Sequence, residues 1–257
     1  MGTVSYDFEG DTVAVAGGAS GIGRAVALAF ARAGASVVVA DLRERPADQH
    51  ASVPTHRVVH EGGGDAAFVE TDVTDVEAVD SLVEATREFG GLDVLVNAAS
   101  AVAGGSLLDA DPDSFDLVVE TATRGTLLGT RAAARDFTER GVEGCVVNVV
   151  PVGASTPTSD DVAAVTAAGA VRTLTRESAR ELAGAGVRVN AVVPGPGAAC
   201  VGDGDELSEI EERVPLGRPG FPEDVVPATL FLASEGASFA TGELLAVDGG
   251  WGVHGEV

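Results

Sequence analysis

Short apolar runs alternate with stretches of helical periodicity along the whole 257-residue chain. The runs are Thr12–Ala16, Ser36–Ala40, Ala66–Glu70, Asp93–Asn97, Cys145–Val150, Val187–Val193 and Leu244–Val247. They are rich in valine and bounded by Gly, Asp or Pro, as strands buried on both faces should be. Between the first two, Ile22, Val26, Phe30 and Ala33 recur at helical spacing and Gly34 ends the pattern. Asp113–Thr138 and Asp161–Ala183 read as two longer helices. This alternation predicts an α/β fold, a Rossmann-type doubly wound parallel sheet of about seven strands with helices on both faces. No repeat or linker divides it, so residues 1–257 are expected to form a single domain.

Two segments break the rhythm. Residues 43–65 carry Pro46, Pro54, three histidines and Gly62-Gly63-Gly64, so any helix there is expected to be short or broken. His50, His56 and His60 match no strong metal-ligand spacing and read as a solvated loop. Residues 195–209, "GPGAACVGDGDELSE", form a glycine-rich acidic loop after a strand end, the usual place for a mobile lid.

Charge narrows the function classes. There are 40 acidic against 16 basic residues, a net of −24, and every basic residue is arginine. Such a surplus repels nucleic acid and anionic membrane, and neither is an expected partner. An acidic, lysine-free, Ala/Val/Gly-rich chain resembles the proteins of salt-accumulating halophiles. No apolar run is long enough for a membrane span, and Met1–Gly10 lacks the basic start and apolar core of a secretory leader. Cys145 and Cys200 stand far apart and read as buried small hydrophobes of a reducing compartment, although sequence alone leaves a disulfide open. A cytoplasmic location follows as the expectation.

The chemistry begins at Gly17-Gly18-Ala19-Ser20-Gly21-Ile22-Gly23, which follows a strand and opens a helix. Gly17 permits the tight turn, Gly21 lets backbone approach a diphosphate, and Gly23 allows close helix–strand packing. The helix N-terminus supplies N–H groups and partial positive charge. Asp41 ends the second strand, placed to accept hydrogen bonds from both hydroxyls of an adenosine ribose. A 2′-phosphate would meet that carboxylate unfavourably, and neither Ser20 nor Leu42 supplies a compensating cation, so NAD is preferred over NADP.

Gly17-x-x-x-Gly21-Ile22-Gly23, Asp72-Val73, "LDVLVNAAS" at 92–100, "RVNAVVPGP" at 188–196, "PLGRPGFPEDV" at 215–225 and "TGELLAVDGGW" at 241–251 resemble the short-chain dehydrogenase/reductase family, in order and over nearly the whole chain. The resemblance implies that Asp72 binds the adenine amine with Val73 beside it. It also implies that Asn97 and Ala98 begin the segment lining the cofactor, and that Pro194-Gly195 flank the nicotinamide. The cofactor set is then Gly17, Ser20, Gly21, Ile22, Gly23, Asp41, Leu42, Asp72, Val73, Asn97, Ala98, Pro194 and Gly195.

The same resemblance implies a proton-transferring tyrosine, a lysine four residues on, a serine and a helix asparagine. Here those positions hold Ala164, Ala168, Pro151 and Ala122. The only tyrosine is Tyr6, and there is no lysine to recruit. Ala199, Ala98, Ser100 and Ala16 also depart from the family pattern around the nicotinamide end. Ser100, Ser155 and Thr166 are the polar groups left there, and an unassisted hydroxyl is too weak an acid or base at neutral pH. No catalytic residue is therefore assigned.

Three functions compete on this reading. The first is a non-catalytic NAD-binding member that senses cofactor or partners an active paralogue. The second is an alcohol/carbonyl oxidoreductase with a non-standard proton relay. The third is a scaffold without cofactor. Association as a homo-oligomer (dimer or tetramer) or mixed oligomer is expected through the two long helices, with Ala163, Ala167, Ala170 and Leu174 supplying small apolar surface.

Overall fold

The computed structural model describes residues 2–47, 51–101, 105–150, 161–198 and 210–254. Seven strands form one sheet: β1 Thr12–Ala16, β2 Ser36–Asp41, β3 Ala66–Glu70, β4 Val94–Asn97, β5 Gly144–Val149, β6 Val187–Pro194 and β7 Leu244–Val247. Every pairing is parallel and the order is β3-β2-β1-β4-β5-β6-β7. The expected strand runs recur within a residue at each end.

The helices are α1 Gly21–Arg32, α2 Thr55–Glu61, α3 Val76–Ala85, α4 Pro112–Val119, α5 Gly125–Arg140, α6 Val162–Leu182 and α7 Pro222–Ala233. Strand alternation sorts the core into two layers. Val13, Val15, Val37, Val39, Val94 and Val96 pack with Val26 and Phe30 of α1 and Leu232 of α7. Their sequence neighbours Ala14, Ala16, Val38, Ala40 and Leu95 pack with α3 and α5 through Leu82, Val83, Leu128 and Phe137. Each fully buried Val or Leu contributes about 1.5–3 kcal/mol, which makes this two-sided burial the main support of the fold.

The chain runs from β1 outward to β3, then returns to β4 beside β1. The order reverses there, and above the carboxyl ends of β1 and β4 lies the crevice where open α/β sheets bind ligands.

One element departs from expectation. The single helix foreseen over Asp113–Thr138 is interrupted by a π turn, Glu120–Arg124, between α4 and α5. At this wide turn Arg124 donates from Nε to Thr74 O at 2.8 Å, and Gly125 meets Val73 so closely that a Cβ would lie 2.7 Å from its Cγ2. Periodicity does not register a one-residue bulge that serves contacts with a distant loop. The short helix foreseen in the irregular segment is α2, seven residues ended by Gly62-Gly63. Cys145 is buried and free, and burial pushes its thiol up to about 11, so it is inert as a nucleophile at neutral pH. Cys200 and His50 lie outside the described residues.

Candidate functional site

The glycine turn is held from below by β2. Gly17 and Gly18 donate to Ala40 O at 2.8 and 3.0 Å. Gly17 has φ +80°, and a Cβ there would lie 2.6 Å from the backbone of Ala99, where the chain leaves β4. Its glycine is thus required twice, by conformation and by contact. A Cβ on Gly23 would sit 2.1 Å from Gly17 O, which fuses turn and helix. At Gly21 (φ +52°) a Cβ would meet nothing within 4 Å among the described residues.

Three helices start on a side-chain cap. Asp75, Asp111 and Asp161 cap α3, α4 and α6 by accepting first-turn N–H groups. Ser20 is a capping residue type at the head of α1, yet its hydroxyl accepts from Ala47 N at 2.7 Å and caps nothing in the helix. The dipole of α1 directs positive potential toward the crevice from this end. Asp41 ends β2, and its Oδ2 accepts from Ala19 N at 3.1 Å. The carboxylate is thereby oriented beside the turn.

The remaining expected positions divide. Ile22 is buried in the core, so only its backbone can face the crevice, whereas Leu42 is exposed. Arg43 and Arg45, exposed just beyond Asp41, are cations that the sequence reading left out. Asp72 is exposed, and its Oδ1 accepts from Thr74 N and Oγ1 at 2.8 and 2.7 Å; Val73 beside it is buried. Ala98 N donates to Ala16 O at 2.8 Å, carrying the β1–β4 pairing to the crevice edge. Pro194 ends β6, and Gly195 lies so close to Asp248 that a Cβ would be 2.6 Å from its Cα.

Asn97 is anchored through its side chain. Its side chain points away from the crevice, toward the helices, and Nδ2 reaches Asn148 Oδ1 at 2.9 Å and Thr130 Oγ1 at 3.3 Å. Asn148 in turn donates to Thr175 Oγ1 at 3.0 Å. Alternation dictates this: Asn97 falls on the α5 side of β4 with Leu95, opposite Val96. The buried chain Thr130–Asn97–Asn148–Thr175 joins α5, β4, β5 and α6. Sequence reading missed Asn148, although a lone asparagine inside a valine run was the available signal. It also missed Arg188, which donates to the carbonyls of Leu232 and Ala233 at 2.7 and 3.1 Å and so closes the end of α7.

At the other half of the crevice, Ala122 lies in the π turn, and Ala164 and Ala168 lie on α6. Ala122 and Ala168 belong to one apolar cluster with Val118, Val150, Ala163, Ala167, Val171, Ala191 and Val193. Ala164 is half-buried, and Ser100 and Thr166 are exposed. Pro151, Ser155 and Ala199 lie outside the described residues. Thr123 Oγ1, next to Ala122 in the chain, is buried with no partner among the described residues. Tyr6 packs beside Phe8, whose N–H donates to Ala33 O past the end of α1. It therefore sits at the opposite end of the sheet from the crevice.

The surface expected from α6 is corrected. Ala163 and Ala167 are buried in the chain's own core; helical spacing identifies an apolar stripe but not what covers it. The outward groove between α5 and α6, about 460 Å³, is lined instead by Leu127, Arg131, Ala134, Arg135, Glu181 and Leu182. No group of metal-ligating side chains and no membrane-length apolar helix occurs among the described residues.

Comparison with known proteins agrees with this architecture. An enoyl-(acyl carrier protein) reductase family model matches residues 17–252. The cis-4-hydroxycyclohexanecarboxylate dehydrogenase of Sinomonas cyclohexanicum is 38% identical over 242 residues, 92% of this chain and 94% of the relative. A short-chain type dehydrogenase/reductase from Mycobacterium marinum superposes with TM-score 0.84 at 30% identity, over 95% of this chain and 96% of that one. A Beutenbergia cavernae protein, assigned as an NAD(P) dependent gluconate 5-dehydrogenase and crystallised with NADP at low occupancy, gives TM-score 0.84 at 33% identity, over 96% and 99%. The chain belongs to the short-chain dehydrogenase/reductase family, whose members bind NAD(P). The glycine turn and the positive end of α1 above it fit a dinucleotide diphosphate.

Proposed function

We propose that this chain is an NAD-binding short-chain dehydrogenase/reductase that lacks the family's proton relay and acts as a cofactor-binding or assembly partner. The observation that carries the reading is the apolar cluster that contains Ala122 and Ala168, the positions where the family resemblance implies the helix asparagine and the lysine. In this reading Gly17, Ser20, Gly21, Ile22 and Gly23 hold the diphosphate through backbone. Asp41 and Leu42 frame the ribose, Asp72 and Val73 the adenine, and Asn97-Ala98 and Pro194-Gly195 the nicotinamide end. A bound nicotinamide supplies hydride chemistry of its own. This chain then lacks a side chain to move the accompanying proton, and losing a general acid/base costs about 10²–10⁴-fold in rate. The Asp41 carboxylate favours a ribose diol over a 2′-phosphate, which gives NAD preference. The protein is placed in the cytoplasm as a single domain, and the α5–α6 groove is offered to a second copy or an active paralogue.

The second reading, an alcohol/carbonyl oxidoreductase with another relay, is favoured by the dehydrogenase identity of its relative and by the unpartnered Thr123 hydroxyl. One experiment separates them. NADH and NADPH are titrated by calorimetry in molar salt, and NADH oxidation is then followed across ketones and aldehydes. The first reading expects NADH to bind more tightly than NADPH and turnover to stay near background. Robust turnover on any carbonyl establishes the second; tighter NADPH binding, with Arg43 as the responsible cation, overturns the NAD preference.

A further inference from the structure

The backbone of β2 holds the glycine turn only as far as Gly18: the N–H groups of Gly17 and Gly18 both donate to Ala40 O. The next peptide unit, Gly18–Ala19, is gripped by two side chains, one at each end. Its Ala19 N–H donates to Asp41 Oδ2 at 3.1 Å, and its Gly18 carbonyl accepts from the Thr55 hydroxyl at 2.9 Å. A trans peptide is planar, so its N–H and C=O point opposite ways and turn together. Rotating the Gly18 carbonyl off Thr55 therefore carries the Ala19 N–H off Asp41. Gly18, without a Cβ, offers that rotation little local resistance.

Thr55 is a firm anchor for this clamp. It opens α2 and is wholly buried. Its hydroxyl accepts from Arg24 Nη1, in the first turn of α1, at 2.8 Å. A hydroxyl that accepts from a cation becomes the stronger donor in turn. Ala19 O lies 3.4 Å from the same oxygen, so the nearer Gly18 O takes the proton. Helix α2 is itself seated on the core by buried Val59 and by His56. The His56 ring, expected in a solvated loop, instead packs against Phe68 of β3 with centroids 6.0 Å apart. A continuous chain of hydrogen bonds thus runs from Arg24 through Thr55 and one peptide unit to Asp41.

We propose that Thr55 is a positioning residue for Asp41: its hydroxyl fixes the Gly18–Ala19 peptide, the Ala19 N–H aims the Asp41 carboxylate, and that aim sets the preference for a ribose diol over a 2′-phosphate. The proposal rests on the dinucleotide reading above and on its NAD preference.

The test is titration of the intact protein with NADH and with NADPH by calorimetry in molar salt, with thermal unfolding in the same buffer to show that each variant is folded. Thr55→Val keeps the shape and removes the donor; Thr55→Ala removes it without setting a methyl against Gly18 O. In both, NADH affinity is expected to fall about fivefold, the effect of about one hydrogen bond, while NADPH affinity stays within about twofold. Thr55→Ser returns the hydroxyl and is expected to restore the wild-type ratio of the two affinities. Thr86→Val removes another buried hydroxyl, bonded to Val83 O at 2.6 Å past the end of α3, and is expected to lower stability with the ratio unchanged. With Asp41→Ala in place, Thr55→Val is expected to shift the ratio no further. A wild-type ratio in either Thr55→Val or Thr55→Ala, once folded, overturns the proposal. Equal losses of NADH and NADPH affinity, a ratio in Thr55→Ser as low as in Thr55→Val, an equal shift in Thr86→Val, or a shift that persists beside Asp41→Ala overturns it too. All of these leave the dinucleotide reading standing. Absence of binding by both nucleotides overturns that reading and the proposal together, and tighter NADPH binding by the wild type overturns the NAD preference and the proposal.

Discussion

The two halves of the crevice are made of opposite materials. Over β1, β2, α1 and α2 the surface is polar and tightly cross-linked: Asp41 to Ala19, Ser20 to Ala47, Thr55 to Gly18. Over the π turn and α6 the described wall is largely alanine and valine, with the Thr123 hydroxyl buried beside it. The difference teaches that apolar packing can close a wall without polar links, because burying alanine avoids the desolvation cost that a charged side chain there would bring.

The comparison breaks most directly at Gly23. Gly23→Ala places a methyl 2.1 Å from Gly17 O, so the turn and the head of α1 must part. The expected cost is about 1–3 kcal/mol of stability, with dinucleotide affinity falling at least about tenfold. Thermal unfolding and NADH titration measure the two separately. Unchanged affinity would show that the polar half is not a binding surface.

A second substitution tests the seam between the halves. Asn148→Ala strips a partner from Asn97 and from Thr175, both buried. Leaving such groups unsatisfied costs about 1–3 kcal/mol, seen as a lower urea midpoint. Because this chain of bonds lies below the sheet edge and faces α5 and α6, NADH affinity is expected to stay within about twofold of wild type. A large loss of binding would mean that Asn97 reports to the crevice after all.

The smallest effect belongs to the surface that both halves share. The net charge of −24 repels itself. Screening shortens from about 10 Å at 0.1 M salt to about 3 Å at 1 M. Raising salt between these values is expected to stabilise the fold by about 1 kcal/mol, or about 2–4 °C in melting temperature. A melting temperature that does not move would remove the electrostatic argument for a salt-adapted protein.

Most of the framework is legible in the chain itself. Valine runs buried on both faces can only be central strands, and their alternation with helical stretches leaves few topologies beyond a doubly wound sheet. The glycine turn was legible because Gly17 and Gly23 answer to local sterics. Asp41 could be placed because a strand end is marked by where its apolar run stops. The alanines at 122, 164 and 168 are likewise plain facts of the chain, as are the absence of lysine and the solitary Tyr6.

Other features depended on what lies across the molecule. Asn97 reads as crevice-lining by its place in the chain, but strand parity and the approach of Thr130 and Asn148 turn its amide toward the helices. Ala163 and Ala167 read as surface for a partner until β6 and the π turn cover them. The π turn follows contacts with Val73 and Thr74, some fifty positions earlier, which no helical period records. Ser20 has the residue type of a cap, and only the arrival of Ala47 decides that its hydroxyl serves the segment beyond Asp41 instead. Sequence by itself determined the strands, the glycine turn and the alanines at 122, 164 and 168, because these depend on local sterics, periodicity and residue identity. Tertiary structure alone decided where the amides, hydroxyls and imidazoles point, because a polar side chain takes its direction from whichever partner the fold brings within three ångströms or so.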